Sequence, residues 1–472
     1  MATRLNGMDA VWLYLETGTA HMHVGSVLVL DPSSAPEPLT RDSAIDYIAQ
    51  RLHLSPSFRR RVAAVPFRLD HPVWIEDPDF DLHYHVRRAA LPAPGGMHEL
   101  AEYAGDVMSR RLDRSRPLWE IHVVEGLSDG RIGVVTKSHH AAVDGVSGAE
   151  LLAALLQLSP EQPAPDAPAT PWEAEREPSD LRLLLTAGWH LAATPAGVAR
   201  ATRRTTRAAA RLLRLRVQTR GTQTPPAPFA APVTSLNGAL GPHRLIALTE
   251  QSLDSVKSVK RVFGGTVNDV ILAAVAGSLR RYLVGRGEAV DRPLVGMVPI
   301  SVRSEDQHGQ EGNQVSAMLV DLPTDEPDPV GRLRRVALAT EGAKEQHGAL
   351  GAQTLQQLAE LTPAGVASLA ARMYTRMRGA DRHRPIWNVV VSNVPGPRIP
   401  LYLAGAKVEA MYPIGPVHEM CGLNITLFSY NEMVYVGLNA DRDLVPDVTE
   451  VAAGICESIQ DLAKLAAESD LS

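Results

Sequence analysis

Apolar positions recur along this chain in two rhythms, and the switches between them mark its elements. Met8 to Glu16 has helical spacing, and Gly25 to Leu30 is an apolar run that reads as a strand ended by Asp31-Pro32. Asp42 to His53 and Glu99 to Leu112 return to helical spacing. Trp74 to His85, acidic and aromatic, reads as loop and strand. Ile121 to Val124 and Ile132 to Val135 are short apolar runs either side of Ser128-Asp129-Gly130, the pattern of a hairpin. An apolar, helix-like run follows from Val146 to Leu156, and the Pro/Ala-rich stretch Ser159 to Thr170 reads as a linker.

The second half repeats this mixture without repeating the sequence. Leu245 to Leu248 predicts a strand, and Thr249 caps a helix from Glu250 to Val262 that Gly264-Gly265 closes. Thr266 opens another helix, with Asp269 three residues on in the place a capping box gives to Glu or Gln. Strands are predicted at Leu294 to Pro299, Val315 to Leu322, Asn388 to Ser392, Leu423 to Tyr430 and Val434 to Leu438, with Asn431-Glu432 turning the last pair. Val448 to Ala466 predicts a closing helix. Mixed strands and helices in both halves predict an α/β (α+β mixed) protein of two similar domains. The 472 residues suit that number. The expected division is 1–158, a linker and crossover region at 159–233, and 234–472.

Composition narrows the classes of function. A net charge of −6 is too mild to imply a nucleic-acid partner. Two cysteines, Cys421 and Cys456, make neither a disulfide framework nor a metal set, and point to a reducing compartment. Met1 to Asn6 lacks the apolar core of a signal peptide. The nearest approach to a membrane span, Leu183 to Ala199, is uncharged but short and broken by His190 and Pro195, so a lipid substrate would be met at a surface. From Leu181 to Thr249 there is no Asp or Glu, and within that tract Arg200, Arg203, Arg204, Arg207, Arg211 and Arg214 recur at helical spacing, with Arg216 and Arg220 beyond. Such a helix can lie on anionic lipid headgroups; it can equally be a solvated crossover helix or pair with acids elsewhere.

The chemistry centres on Lys137-Ser138-His139-His140-Ala141-Ala142-Val143-Asp144-Gly145, an HHxxxDG pattern at a strand end. Histidine titrates nearest working pH, so one proton can be taken and later returned. If the strand's pleat runs through the pair, the two side chains face opposite ways and only one meets a reacting centre. There is no G-x-S-x-G elbow, no Gly-rich phosphate loop ending in Lys and Ser or Thr, no H-E-x-x-H and no paired C-x-x-C. What remains is general-base catalysis by His140 on a hydroxyl, with direct attack on an activated acyl group and no expected metal site. Asn268, at a helix N-terminus, is a candidate oxyanion donor or a local cap. Asp144 reads as a structural residue of its loop, Trp119 as a core anchor, and His21 and His23 as ordinary packed or surface histidines.

With these residues in hand the chain resembles a known group. HHxxxDG is shared by chloramphenicol-acetyltransferase-like acyltransferases and by condensation domains of peptide synthetases. Met8-Asp9-Ala10 to Leu15-Glu16, Met22-His23-Val24-Gly25, Pro117-Leu118-Trp119-Glu120, Asn268-Asp269-Val270-Ile271-Leu272-Ala273 and Ser392-Asn393-Val394-Pro395-Gly396-Pro397 narrow it. In this order they resemble the bacterial wax ester synthase/diacylglycerol acyltransferase family, the actinobacterial triacylglycerol synthase type in particular. The resemblance implies two chloramphenicol-acetyltransferase-like domains in a V-shaped pseudo-dimer with a channel between them. It implies acyl-CoA as co-substrate with no other cofactor, and diacylglycerol or a long-chain alcohol as acceptor. His140 would be the base, with His139, Asp144 and Gly145 supporting it. Asp269, Pro117, Leu118, Trp119, Ser392, Asn393, Pro395 and Gly396 would line the channel or join the domains. The plant-type D-F-G-W-G motif is absent. The expected location is cytoplasmic, peripheral to the inner membrane or lipid droplets, through Arg200–Arg220 if that tract meets lipid. The alternatives are a condensation-type enzyme using a carrier-bound donor, and a non-catalytic lipid-binding relative.

Overall fold

A computed structural model describes residues 2–142, 152, 154–170, 172–190, 192, 226, 229–301, 315–350 and 364–470. Asp144, Gly145, most of the expected Val146–Leu156 helix and Arg200–Arg220 lie outside the described residues.

The strands form three sheets. β1 (Thr3–Arg4), β3 (Arg60–Ala63) and β4 (Val73–Glu76) make a small one in the order β1-β4-β3. The first large sheet holds β2 (His23–Asp31), β5 (Val86–Ala90), β6 (Trp119–Glu125), β7 (Ile132–His139), β8 (Leu156–Gln157), β13 (Tyr402–Leu403) and β14 (Ala406–Ile414), in the order β5-β6-β7-β2-β14-β13-β8. The second holds β9 (Arg244–Ser252), β10 (Leu294–Ser301), β11 (Val315–Leu322), β12 (Val389–Pro395), β15 (Leu423–Tyr430) and β16 (Met433–Asp441), in the order β11-β10-β12-β15-β16-β9. β13 and β14 come late in the chain yet pair within the sheet that the first half otherwise builds. Ile414 to Lys407 runs antiparallel against Gly25 to Asp31.

Close backbone approach fixes these pairings. A Cβ on Gly25 would sit 2.4 Å from the Thr136 carbonyl, so β2 lies against β7 only with glycine there. A Cβ on Gly437 would sit 1.8 Å from the Pro413 carbonyl, so β16 can run beneath β14. The core of the first half therefore includes Tyr430 and Tyr435 from the second.

Helices cover the sheets. α1 (Gly7–Leu15) starts at Asn6, whose side chain accepts from the Asp9 amide, and buries Ala10, Leu13 and Tyr14. α2 (Arg41–Ala49), the single turn α3 (Leu82–His85) and α4 (Met97–Met108) belong to the first half. α5 (Leu253–Phe263), α6 (Val267–Gly285), α7 (Pro329–Leu350), α8 (Ala364–Arg376) and α9 (Val448–Asp470) follow in the second. α6 is buried continuously from Asp269 to Leu279 and packs between α7 and α9. No single described helix is long and apolar enough to cross a membrane; α5 and α6 reach that composition only together, across a bend of 101°.

Three expectations need correction. The strand after residue 244 does not stop at Leu248. It pairs with β16 through Ser252, and Ser252 rather than Thr249 caps the next helix, because a full-length antiparallel partner outweighs the local capping signal. Leu156 is not helical but pairs with Leu403. The strand that carries the histidines runs beyond Val135 to His139. The capping box at Thr266 and Asp269 and the Asn431-Glu432 hairpin form as read, both turn residues adopting positive φ.

Candidate active site

β7, an interior strand of the first sheet, ends in His139, and His140 opens the turn that follows. The His139 amide donates to the Leu118 carbonyl (3.0 Å) and the His140 amide to the Met22 carbonyl on the other side (2.9 Å), so the strand alternation continues through the pair. Their side chains enter different surroundings. His139 is wholly buried; His140 is half-buried.

His139 is locked. Its Nδ1 accepts from the Ala141 amide at 3.0 Å, so the proton of the neutral ring sits on Nε2, which lies 3.4 Å from Glu16 Oε2. Burial holds His139 below the usual imidazole range, although Glu16 pulls the other way. Glu16 follows the last turn of α1, and its own amide closes that turn onto the Trp12 carbonyl. Burial alone would push its carboxyl up. His139, Arg114 and Arg111 outweigh burial and hold it at about 2. Arg111 donates from Nε at 2.8 Å, Arg114 from Nε at 2.7 Å, and Arg114 also reaches the Leu13 carbonyl at 2.9 Å. His23, opposite His139 in the β2–β7 register, is buried and held well below the usual imidazole range by its desolvation.

His140 has an aromatic floor. The Trp12 indole of α1 stacks on it at 3.9 Å between centroids and 17° between planes. On the second half of the chain His418 lies 6.0 Å from the same indole, and Trp387 meets His418 edge-on at 6.2 Å. Burial pushes His418 down to about 4, so it is neutral at working pH. Thus Trp12 joins His140 of the first half to His418 of the second.

The Pro117-Leu118-Trp119 stretch supports the turn from beneath. Leu118 packs in one cluster with Ala10, Leu13 and Ala141, while its carbonyl receives the His139 amide. Trp119 is a core anchor, stacked on His85 at 4.4 Å with its indole N–H on the Phe58 carbonyl at 2.9 Å. Behind the sheet, Lys137 is buried against Glu120 (3.3 Å) and donates to the Val107 and Arg110 carbonyls at the end of α4.

The second half brings two asparagines together. Asn393, on β12, donates from Nδ2 to Asn268 Oδ1 at 3.4 Å in the first turn of α6. Asp269 is committed to structure: it accepts from the Thr266 amide and hydroxyl, both at 2.8 Å, and from the Thr340 hydroxyl at 2.7 Å. Ser392 and Pro395 lie in the parallel β12–β15 register, and a Cβ on Gly396 would meet the Phe428 ring at 2.4 Å, so this stretch is fitted tightly to β15. Asn268's described partner is Asn393, not a residue of the histidine cluster. Glu16, Arg111, Arg114, Trp12 and His418 were not singled out for chemistry in the sequence. Among the described residues no group of three or more His, Cys, Asp or Glu is placed to hold a metal ion.

Two mixed sheets, one ending in a histidine turn, form the fold that this chain shares with the first condensation domain of the CDA synthetase: TM-score 0.58, 18% identity, covering 99% of this chain and 96% of that one. A wax ester synthase/diacylglycerol acyltransferase from Marinobacter aquaeolei VT8 is more similar: TM-score 0.68, 28% identity, covering 98% and 100%. Residues 5–271 match the wax ester synthase/diacylglycerol acyltransferase catalytic domain, and residues 311–463 match the C-terminal domain of the same family. A putative diacylglycerol O-acyltransferase of Mycobacterium tuberculosis (strain ATCC 25618 / H37Rv) is 38% identical over 461 residues, 97% of this chain and 90% of that protein. A second from the same strain is 37% identical over 462 residues, 97% and 96%. The chain belongs to the wax ester synthase/diacylglycerol acyltransferase family.

Proposed function

We propose that the protein transfers a long-chain acyl group from acyl-CoA to the hydroxyl of diacylglycerol or of a long-chain alcohol, with His140 as general base. One observation carries the assignment of the base. Of the two histidines, His139 is wholly buried, its Nδ1 held by the Ala141 amide and its Nε2 facing Glu16, whereas His140 is half-buried on Trp12 where both halves of the chain meet.

His140 takes the proton of the acceptor hydroxyl as the oxygen attacks the thioester carbonyl. The C–S bond then breaks, the ester is released, and the CoA thiolate takes up the proton from His140. Asn268, its amide steadied by Asn393 and backed by the α6 dipole, donates to the developing oxyanion. Asp269 keeps that helix end in place. Asp144 and Gly145 support the turn, and the segments 1–158 and 234–472 face each other across the substrate channel. The work is done on the cytoplasmic side, at the surface of the inner membrane or a lipid droplet, where such acceptors reside.

The experiment offers radiolabelled palmitoyl-CoA with diacylglycerol and with hexadecanol in parallel. Triacylglycerol, wax ester or both accumulate linearly from the first turnover, because direct transfer stores no acyl-enzyme. A burst of free CoA equal to the enzyme concentration, ahead of any ester, would replace direct attack with a covalent intermediate. Ester formed only from a carrier-bound donor would move the protein to the condensation-type reading.

A further inference from the structure

Three stretches outside the site turn apolar side chains to solvent on connected elements. In the segment 180–190 one face is internal: Leu183 and Ala187 pack on Val65, Val73 and Ile75 of the small-sheet region. Its other face presents Leu181, Leu185 and Trp189, four residues apart, with Trp189 77% exposed. The His190 imidazole, 2.5 Å from Asp70, fastens the end of this segment. Next to Val65, the turn Pro66–Arg68 holds Phe67 at φ 56°, a left-handed conformation costly for an aromatic residue, and leaves its ring 86% exposed. α8 packs against that turn. Its inner side places Ala367 on the α1 cluster and Thr375 on Glu419, while Leu369 and Met373 face outward one turn apart.

Asp180, exposed where the 180–190 segment begins, is the one acid of that segment, and the remaining charge on these stretches is positive. Residues 64–69, 181–190 and 364–378 contain no Asp or Glu, whereas Arg68, Arg182, Arg372 and Arg376 are all exposed. Asp70, adjoining the first stretch, is occupied by Arg4 and His190. Exposed apolar side chains on elements that also carry exposed arginines complement the boundary between acyl chains and anionic headgroups. α8 also runs along α1, whose Trp12 carries His140, so this face adjoins the catalytic turn.

We infer that the face built by Phe67, the Leu181–Trp189 side of the 180–190 segment and the Leu369–Met373 side of α8 docks on an anionic phospholipid surface. Docking there sets Trp12 and His140 beside the membrane that holds the acceptor lipid. The docking claim stands on this surface's own geometry; only its purpose rests on the acyltransferase reading.

The test is flotation of the full-length protein with vesicles of phosphatidylcholine alone or mixed with phosphatidylglycerol. The wild type floats with the anionic vesicles. The Phe67→Ser/Trp189→Ser/Met373→Ser variant and the Arg372→Gln/Arg376→Gln variant each lose about 10-fold or more in partitioning, the equivalent of about 1.4 kcal/mol. Both keep the wild-type unfolding midpoint and turnover on a soluble short-chain alcohol. Brominated lipids quench the wild-type fluorescence, and Trp189→Phe removes that component without disturbing the fold. Variants that float like the wild type, or equal binding to the two kinds of vesicle, would overturn the inference. So would a wild-type dimer that ignores vesicles and that the serine variant splits, since a second copy would then occupy the face. If no ester forms in any assay but flotation behaves as described, the docking surface stands and the activity reading falls.

Discussion

Replacing His140 with alanine lowers turnover by about 10³-fold, within the range that a positioned general base contributes. The loss appears in kcat with acyl-CoA affinity unchanged, because the imidazole acts on the acceptor proton and not on the donor. The lost stack of this half-buried ring on Trp12 costs folding about 1 kcal/mol. His139→Ala gives the opposite balance. It empties a wholly buried site, removes the acceptor of the Ala141 amide and takes a partner from Glu16, so stability falls by several kcal/mol before activity is considered. Unfolding midpoints and single-turnover rates for both variants separate the roles. A His140→Ala protein that turns over within 10-fold of wild type would mean that the base is elsewhere.

Glu16→Gln carries the second large effect, on stability as well as rate. Removing one partner of a buried ion cluster typically costs about 3–5 kcal/mol, and the lower end applies because Arg111 and Arg114 are 49% and 37% exposed and regain water. The variant also frees the His139 ring whose Nδ1 sets the Ala141 amide. The His140 turn loosens, and kcat falls about 10- to 100-fold with little change in KM. The cluster has a pH signature. The Glu16 carboxyl sits at about 2 in the folded chain against 4.5 when free. Its contribution to stability is therefore complete above pH 4.5 and disappears as pH falls through 2. Urea midpoints of wild type and Glu16→Gln diverge at neutral pH and converge on acidification. A gap that stays constant down to the acid end would show that the carboxylate charge is not what Glu16 supplies.

What could be read from the sequence follows from how far each signal reaches. α1, the β6–β7 hairpin and the α6 capping box rest on residues a few positions apart, and they form as the local pattern dictates. β14 carries no clear strand signal because Lys407, Glu409 and Pro413 interrupt its apolar character, and its partner β2 lies at the other end of the chain. The misplaced cap at Thr249 has the same origin: β16 extends the strand through a residue that would otherwise start a helix. In the site, HHxxxDG and the Asn268-Asp269 pair were legible as motifs. Glu16 was not, since one carboxylate after a helix says nothing about arginines 95 and 98 positions away. Nor did any spacing announce that Trp12 and His418 would meet.

The crossing of β14 makes this protein hard to divide. A fragment ending at residue 233 would keep the histidine turn yet leave the β2 edge unpaired from Gly25 to Asp31, an open template for intermolecular strand addition. The complementary fragment would carry β14 with nothing to receive it. Severing the chain near residue 233 would turn catalysis into a two-piece assembly whose yield depends on fragment concentration. For the same reason neither half could be exchanged alone for that of a distant relative: the recombined chain would have to match a strand ladder as well as an interface.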